Sequence, residues 1–350
     1  MKSAKKRKRY GGVILKVLFA IFGALVATLI IMLVASCVRH KKLLKEEEQY
    51  MTPPGTMVEI DGHKIHVVHE GDFESDTTLV FIHSNKTADD SIALEPLFDN
   101  LSKYELVYID RSGVGFSEDY DASKDIDSML EETRAALKAV SDNDKYTLVA
   151  TKSGGLLAFD WAFKYPEEVE SIIGLEMYFP EQYKDIDDDK YCSFGNRILV
   201  GLVKAGAHRF AKNIFPTDES SVYTTEQMHR RNALVAKNLY TKAMYNEDKE
   251  VVKNAKKLID YGWPEDVKMY LIYANPFMDP YLHENESFLD IYNQVAEQGE
   301  EYDCEASYNS YYRDYMKDHA NVTVEEVSST ERLIVYNPQK ISELIENYIN

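Results

Sequence analysis

The feature that most limits this chain is the run from Val17 to Val38, VLFAIFGALVATLIIMLVASCV, which contains no charged residue. Backbone in hydrocarbon must satisfy its own N–H and C=O groups, and about 20 helical residues cross a core of about 30 Å. The run therefore predicts a transmembrane helix, placed over residues 12–38 and in contact with a lipid bilayer. Lys2, Lys5, Lys6, Arg7, Lys8 and Arg9 precede it, and a smaller cluster of Arg39, Lys41, Lys42 and Lys45 follows. The positive-inside bias predicts a cytoplasmic basic tail over 1–11 and an extracellular body. The apolar run exceeds the core of a cleaved signal peptide, which favours a retained, single-pass anchor in the cell membrane.

Val34-Ala35-Ser36-Cys37 resembles a bacterial lipobox, which implies an alternative in which Cys37 is lipidated and the residues before it are removed. The body is tethered in both cases. Residues 39–55, KKLLKEEEQ followed by Pro53-Pro54-Gly55, read as a juxtamembrane stalk. Residues 1–45 carry 11 Lys and Arg and no acid, so the rest of a chain with net charge -19 is strongly acidic. Such a surface repels phosphate backbones, and no nucleic-acid partner is expected. Cys37, Cys192 and Cys304 fit no zinc or CxxC spacing, and neither a metal nor a cofactor is predicted.

With 45% apolar residues, the body over 56–350 can build a sizeable core. Asp61-Gly62 joins two short alternating strands as a hairpin. Buried-strand runs follow at 78–83, 105–110, 146–151 and 171–177, separated by helical patterns near 92–103, 124–141 and 154–165. Strand and helix in alternation predict a mostly parallel sheet flanked by helices. Long helical stretches over 178–266 break the rhythm and predict a helical cap insertion. The alternation resumes at 267–274 and 321–327 and ends in a helix over 338–349. Tyr308, Tyr311, Tyr312 and Tyr315 recur at helical spacing and predict a packed face. His63, His66 and His69 alternate faces on the hairpin and do not converge as metal ligands.

Three segments resemble the α/β hydrolases, in particular small membrane-anchored members from Gram-positive bacteria. Phe81-Ile82-His83-Ser84 is similar to the strand end before the oxyanion loop, with Ser84 in place of glycine. Asp110 to Glu118, DRSGVGFSE, resembles the family's D-R-x-G-x-G-x-S segment, and Trp161 to Val169 resembles the end of the helix after the nucleophile. The resemblance spans roughly 57–349 and implies the α/β-hydrolase fold.

The family's nucleophile sits at the centre of G-x-S-x-G, a sharp strand-to-helix turn that needs small flanks. Here Ala150-Thr151-Lys152-Ser153-Gly154-Gly155 admits two registers. A turn centred on Lys152 has Ala150 and Gly154 as its small flanks. Centring on Ser153, the alternative nucleophile, forces Thr151 into a glycine's place. The resemblance implies a triad histidine between the last strand and the last helix, and the stretch 328–338 contains none. Counting back from Pro338 puts Glu331 there. The triad acid would be Glu176 or Asp279, and the oxyanion donors would be the backbone N–H groups of Asn85 and Ser153. His319 precedes the last strand and belongs at the opposite edge of the sheet.

A lysine at a helix start faces the positive end of the helix dipole, so Glu331 with Glu176 or Asp279 is expected to compensate it. Nearby carboxylates would keep Lys152 an ammonium, unsuited to nucleophilic attack. The expectation is a catalytically impaired protein, a pseudoenzyme binding a small-molecule or protein ligand under the cap. The alternatives are a divergent serine hydrolase acting on an ester or amide through Ser153, and a cell-envelope scaffold.

Overall fold

The computed structural model describes residues 2–84, 87–120, 122–188, 192–211, 214–215, 222–275, 310–329 and 333–350. Helix α1 runs from Lys2 to Glu47 without a break, and a 3-10 turn over Glu48–Tyr50 closes it. Among the described residues it is the one helix long and apolar enough to cross a membrane. The stretch expected to be a stalk thus begins as a continuation of the same helix. Within it Lys42 and Glu46 meet one helical turn apart at 3.8 Å, an exposed pair that adds only a little to the helix.

That continuation is docked on the body. Ser36 Oγ donates to the carbonyl of Ala205 at 2.8 Å. Arg209 grips both carboxylate oxygens of Glu47, at 2.8 and 2.6 Å, and donates from Nε to His40 Nδ1 at 2.7 Å. Tyr50 stacks on His229, and Met51 packs with Ile92, Phe116 and Leu234.

Among the described residues the body holds an eight-stranded sheet. Its strands are β1 (Thr56–Ile60), β2 (His63–Gly71), β3 (Thr78–Ile82), β4 (Glu105–Asp110), β5 (Tyr146–Thr151), β6 (Val169–Leu175), β7 (Lys268–Ala274) and β8 (Val322–Val327). They lie in the order β1-β2-β4-β3-β5-β6-β7-β8. β2 is antiparallel to both of its neighbours, and from β4 to β8 every pairing is parallel. The predicted hairpin is β1–β2, with Asp61 and Gly62 both at positive φ.

Both faces of the sheet are covered, which is why the inner strands read as unbroken apolar runs. On one face Leu79, Phe81, Val149 and Ile173 meet α3 (Glu95–Leu101) and the C-terminal helix over Pro338–Ile349. On the other, Val80, Ile82, Leu148 and Ile172 share a core with α4 (Ile126–Lys138) and α5 (Gly154–Lys164). A short α2 (Asp90–Ala93) precedes α3.

Between β6 and β7 lie α6 (Phe194–Lys204), α7 (Thr225–Asn238) and α8 (Lys242–Tyr261). The last of these differs from the expected insertion. Its Val251, Val252, Ala255 and Leu258 join the core under the sheet, so α8 is a covering helix. Helix α6 packs instead with Val114, Tyr240 and Met244, and α7 with Ile92 and Phe116. Near the C-terminus come α9 (Ser310–Met316), α10 (Leu333–Tyr336) and α11 (Pro338–Ile349). Of the tyrosine stripe, Tyr312 stacks on Tyr273 and Tyr315 on Phe179, as packed residues do. Tyr308 and the side chain of Tyr311 lie outside the described residues.

Candidate functional site

Strands β3 and β5 are parallel neighbours at the point where the strand order reverses direction, and their carboxyl ends bound the crevice where open α/β sheets place ligands. Lys152 and Ser153 make the whole connection from β5 to α5. Lys152 has φ +45°, a left-handed conformation that costs a side-chain-bearing residue on the order of 1 kcal/mol. Its carbonyl accepts from the N–H of Gly155 at 3.0 Å and of Tyr178 at 2.9 Å, which holds the turn. A Cβ at Gly154 would stand 2.4 Å from the carbonyl oxygen of Ile82, so only glycine lets the helix start this close to β3.

Ser153 occupies the cap of α5 with φ -65°, an ordinary helical value. Its hydroxyl donates to Ser84 Oγ at 3.1 Å. The void beside it measures about 10 Å³, barely room for one water. Of the two registers, the strained bend is therefore centred on Lys152.

A cavity of about 240 Å³ opens beside Lys152. Leu94, Leu175, Leu333, Ile334 and Val335 form its apolar wall, while Ser84, Asp89, Asp90, Lys152, Glu176 and Arg231 supply the polar lining. Glu176 follows β6 at φ +52°, its N–H bonded to the carbonyl of Ile272 at 2.9 Å. Arg231 reaches in from α7, almost fully buried, donating from Nε to Asp89 Oδ2 at 2.8 Å and lying over the Tyr223 ring. Burial and the adjacent Asp89 push the Asp90 carboxyl up to about 7.

The expected pairing of Lys152 with Glu176 is not formed as a close ion pair. Among the described residues no carboxylate stands within 4.0 Å of the Lys152 amine, although both side chains face the same cavity. Glu331, Asp279 and Asn85 lie outside the described residues. Leu333, two residues after Glu331, does line the cavity. Sequence reasoning missed Asp89, Asp90 and Arg231. Their signal was two like-charge doublets, Asp89-Asp90 and Arg230-Arg231, and a doublet does not say which member turns inward.

Among the described residues no histidine hydrogen-bonds to Ser153. His83 is buried with Nδ1 against the carbonyl of Ser84, and burial, reinforced by Arg111, pushes its pKa down to about 4. His319 stacks on Trp263 beside the start of β8, at the far end of the sheet. His63, His66 and His69 each bond a different carboxylate, those of Glu132, Asp110 and Glu105.

The DRSGVGFSE segment ties the floor together. Asp110 accepts from His66 Nδ1, the Phe116 N–H and the Tyr108 hydroxyl. Gly115, at φ +55°, packs so close to that carboxylate that a Cβ would lie 2.1 Å from it. Arg111 joins the carbonyl of His83 to Glu247 of α8 at 2.8 and 2.7 Å.

This strand order and crevice are those of the α/β-hydrolase fold, and comparison with solved structures agrees. The chain is similar to a probable hydrolytic enzyme from Pseudomonas aeruginosa (TM-score 0.56, 13% identity, 84% of this chain and 93% of that one). It is also similar to an epoxide hydrolase from Vigna radiata (0.57, 15%, 84% and 97%) and a haloalkane dehalogenase from Bradyrhizobium elkani (0.51, 13%, 84% and 96%). Identities this low carry the fold alone. In sequence, the chain is 29% identical over 266 residues to YbdG of Bacillus subtilis, described as uncharacterized, covering 74% of this chain and 80% of that protein. No protein-family model matches.

Proposed function

We propose that this is a membrane-anchored α/β-hydrolase-fold protein that binds a small, partly apolar ligand beside Lys152 and does not perform serine hydrolysis. The observation that carries this reading is the lysine at the strained bend between β5 and α5, where the fold presents a nucleophile. In this reading Lys152 stands at the nucleophile position, Glu331 at that of the histidine, and Glu176 or Asp279 at that of the acid. The backbone N–H groups of Ser153 and Asn85 remain as an anion-binding notch, because backbone donors survive side-chain replacement. Helix α1 is the anchor, with its N-terminus cytoplasmic and the body outside, and residues 178–266 supply a cap through α6 and α7. The apolar wall and charged lining of the cavity support ligand binding over a purely scaffolding role.

Among the described residues the Ser153 hydroxyl has no histidine to take its proton, and such assistance is commonly worth about 100-fold to 10,000-fold. A fluorophosphonate probe should therefore leave the full-length protein in detergent micelles unlabelled. Labelling that disappears in Ser153→Ala would sink the proposal in favour of a serine hydrolase. On the binding side, native mass spectrometry should find a co-purifying adduct that is lost in Ala93→Trp, because Ala93 at the end of α2 also lines the cavity and an indole there would fill it. An adduct unaffected by that change would place the ligand elsewhere.

A further inference from the structure

Helix α6 is apolar on two sides, which an ordinary surface helix is not. Inward, Val200 and Val203 pack with Tyr240 and Met244. Outward, Phe194 is 74% exposed, Ile198 50%, Leu199 43% and Leu202 37%, and just beyond the helix Phe210 is 69% exposed. The outward side chains play no part in the core described above. Water would favour charged residues there.

Two further observations say what covers this face. The first is its level. Ala205, which caps α6, accepts a hydrogen bond from Ser36, and Arg39 lies over the Phe210 ring at 5.7 Å. Ser36 and Arg39 straddle Val38, where the apolar run of α1 ends, so the exposed face of α6 is fixed near the depth at which α1 leaves hydrocarbon. The second is charge. Residues 190–217 contain no acid in a chain with 59, while Arg197 and Lys204 flank the apolar residues on α6 itself. An apolar stripe edged by bases is what an interfacial helix presents to anionic lipid.

We infer that α6 and Phe210 are seated in the headgroup–acyl boundary of an anionic bilayer, as a second membrane attachment beside α1. This rests on the reading of α1 as an anchor, and the test separates the two. The full-length protein, with Cys37, Cys192 and Cys304 replaced by serine, is reconstituted in phosphatidylcholine–phosphatidylglycerol vesicles. Single nitroxides are then placed through Leu199→Cys, Leu202→Cys, Leu25→Cys and Lys64→Cys, and their relaxation by oxygen and by a water-soluble nickel chelate is compared.

Oxygen should dominate at 199 and 202, as at 25, with the chelate dominating at 64. Labels at 199 and 202 that behave like the label at 64, while 25 stays oxygen-dominated, overturn the seating of α6 and leave the anchor standing. A chelate-accessible label at 25 overturns the anchor and the seating together. Introducing Ile198→Glu should shift the label at 202 toward the chelate and leave 25 unchanged. A label at 202 that does not respond overturns the inference.

Discussion

Lys152 carries the left-handed backbone of the bend between β5 and α5, a conformation that a side-chain-bearing residue adopts at a cost. Its register was legible in the sequence, because the close approach of α5 to β3 demands glycine at 154 and the fully buried position 150 holds alanine. That Lys152 and Glu176 line one cavity without closing into an ion pair was not legible, since complementary signs say nothing about distance. The acidic wall offers a test of a different kind. Asp90 has its pKa raised to about 7 by burial and by Asp89, above the unfolded value near 3.8. An acid shifted upward binds its proton more tightly in the folded state, so it lowers stability as pH rises between those values and by a constant amount above them. Asp90→Asn should therefore stabilise the protein at pH 8 by on the order of 2 kcal/mol, with little gain at pH 4. Equal shifts in the urea midpoint at the two pH values would contradict the assignment.

At the scale of elements, the strands were the most readable part. Runs such as TLVFI and YTLVA are apolar on successive residues because helices cover both sheet faces, and flanking turn residues mark their ends. The helices between β6 and β7 were less readable. The amphipathic pattern of α8 reports that one face is buried, yet not whether the sheet or a lid buries it, and the structure puts it against the sheet. The charges of residues 39–55 resemble those of a linker, yet residues 39–47 continue α1. The partner that keeps them helical and docked, Arg209, lies more than 160 residues away in sequence. Removing that clamp should release the segment. Arg209→Ala is expected to raise the rate of tryptic cleavage after Lys41, Lys42 and Lys45 severalfold in the micelle-bound protein, and an unchanged rate would show that the remaining contacts suffice.

For the whole molecule, the uneven charge makes a claim about orientation. The bases gather at the N-terminal end and the acids in the body, and the orientation proposed above on the positive-inside bias would leave the exposed Asn350 outside the cell. An epitope appended there should be stained by antibody on intact cells, and staining only after permeabilisation would reverse the topology. The clamp between α1 and the body has a mechanical consequence as well. Tyr50 stacks on His229 of α7, and the same helix carries Arg231 into the cavity. Whatever tilts or pulls α1 is therefore transmitted to α7, and through Met228 of that helix to Val335 on the cavity's apolar wall.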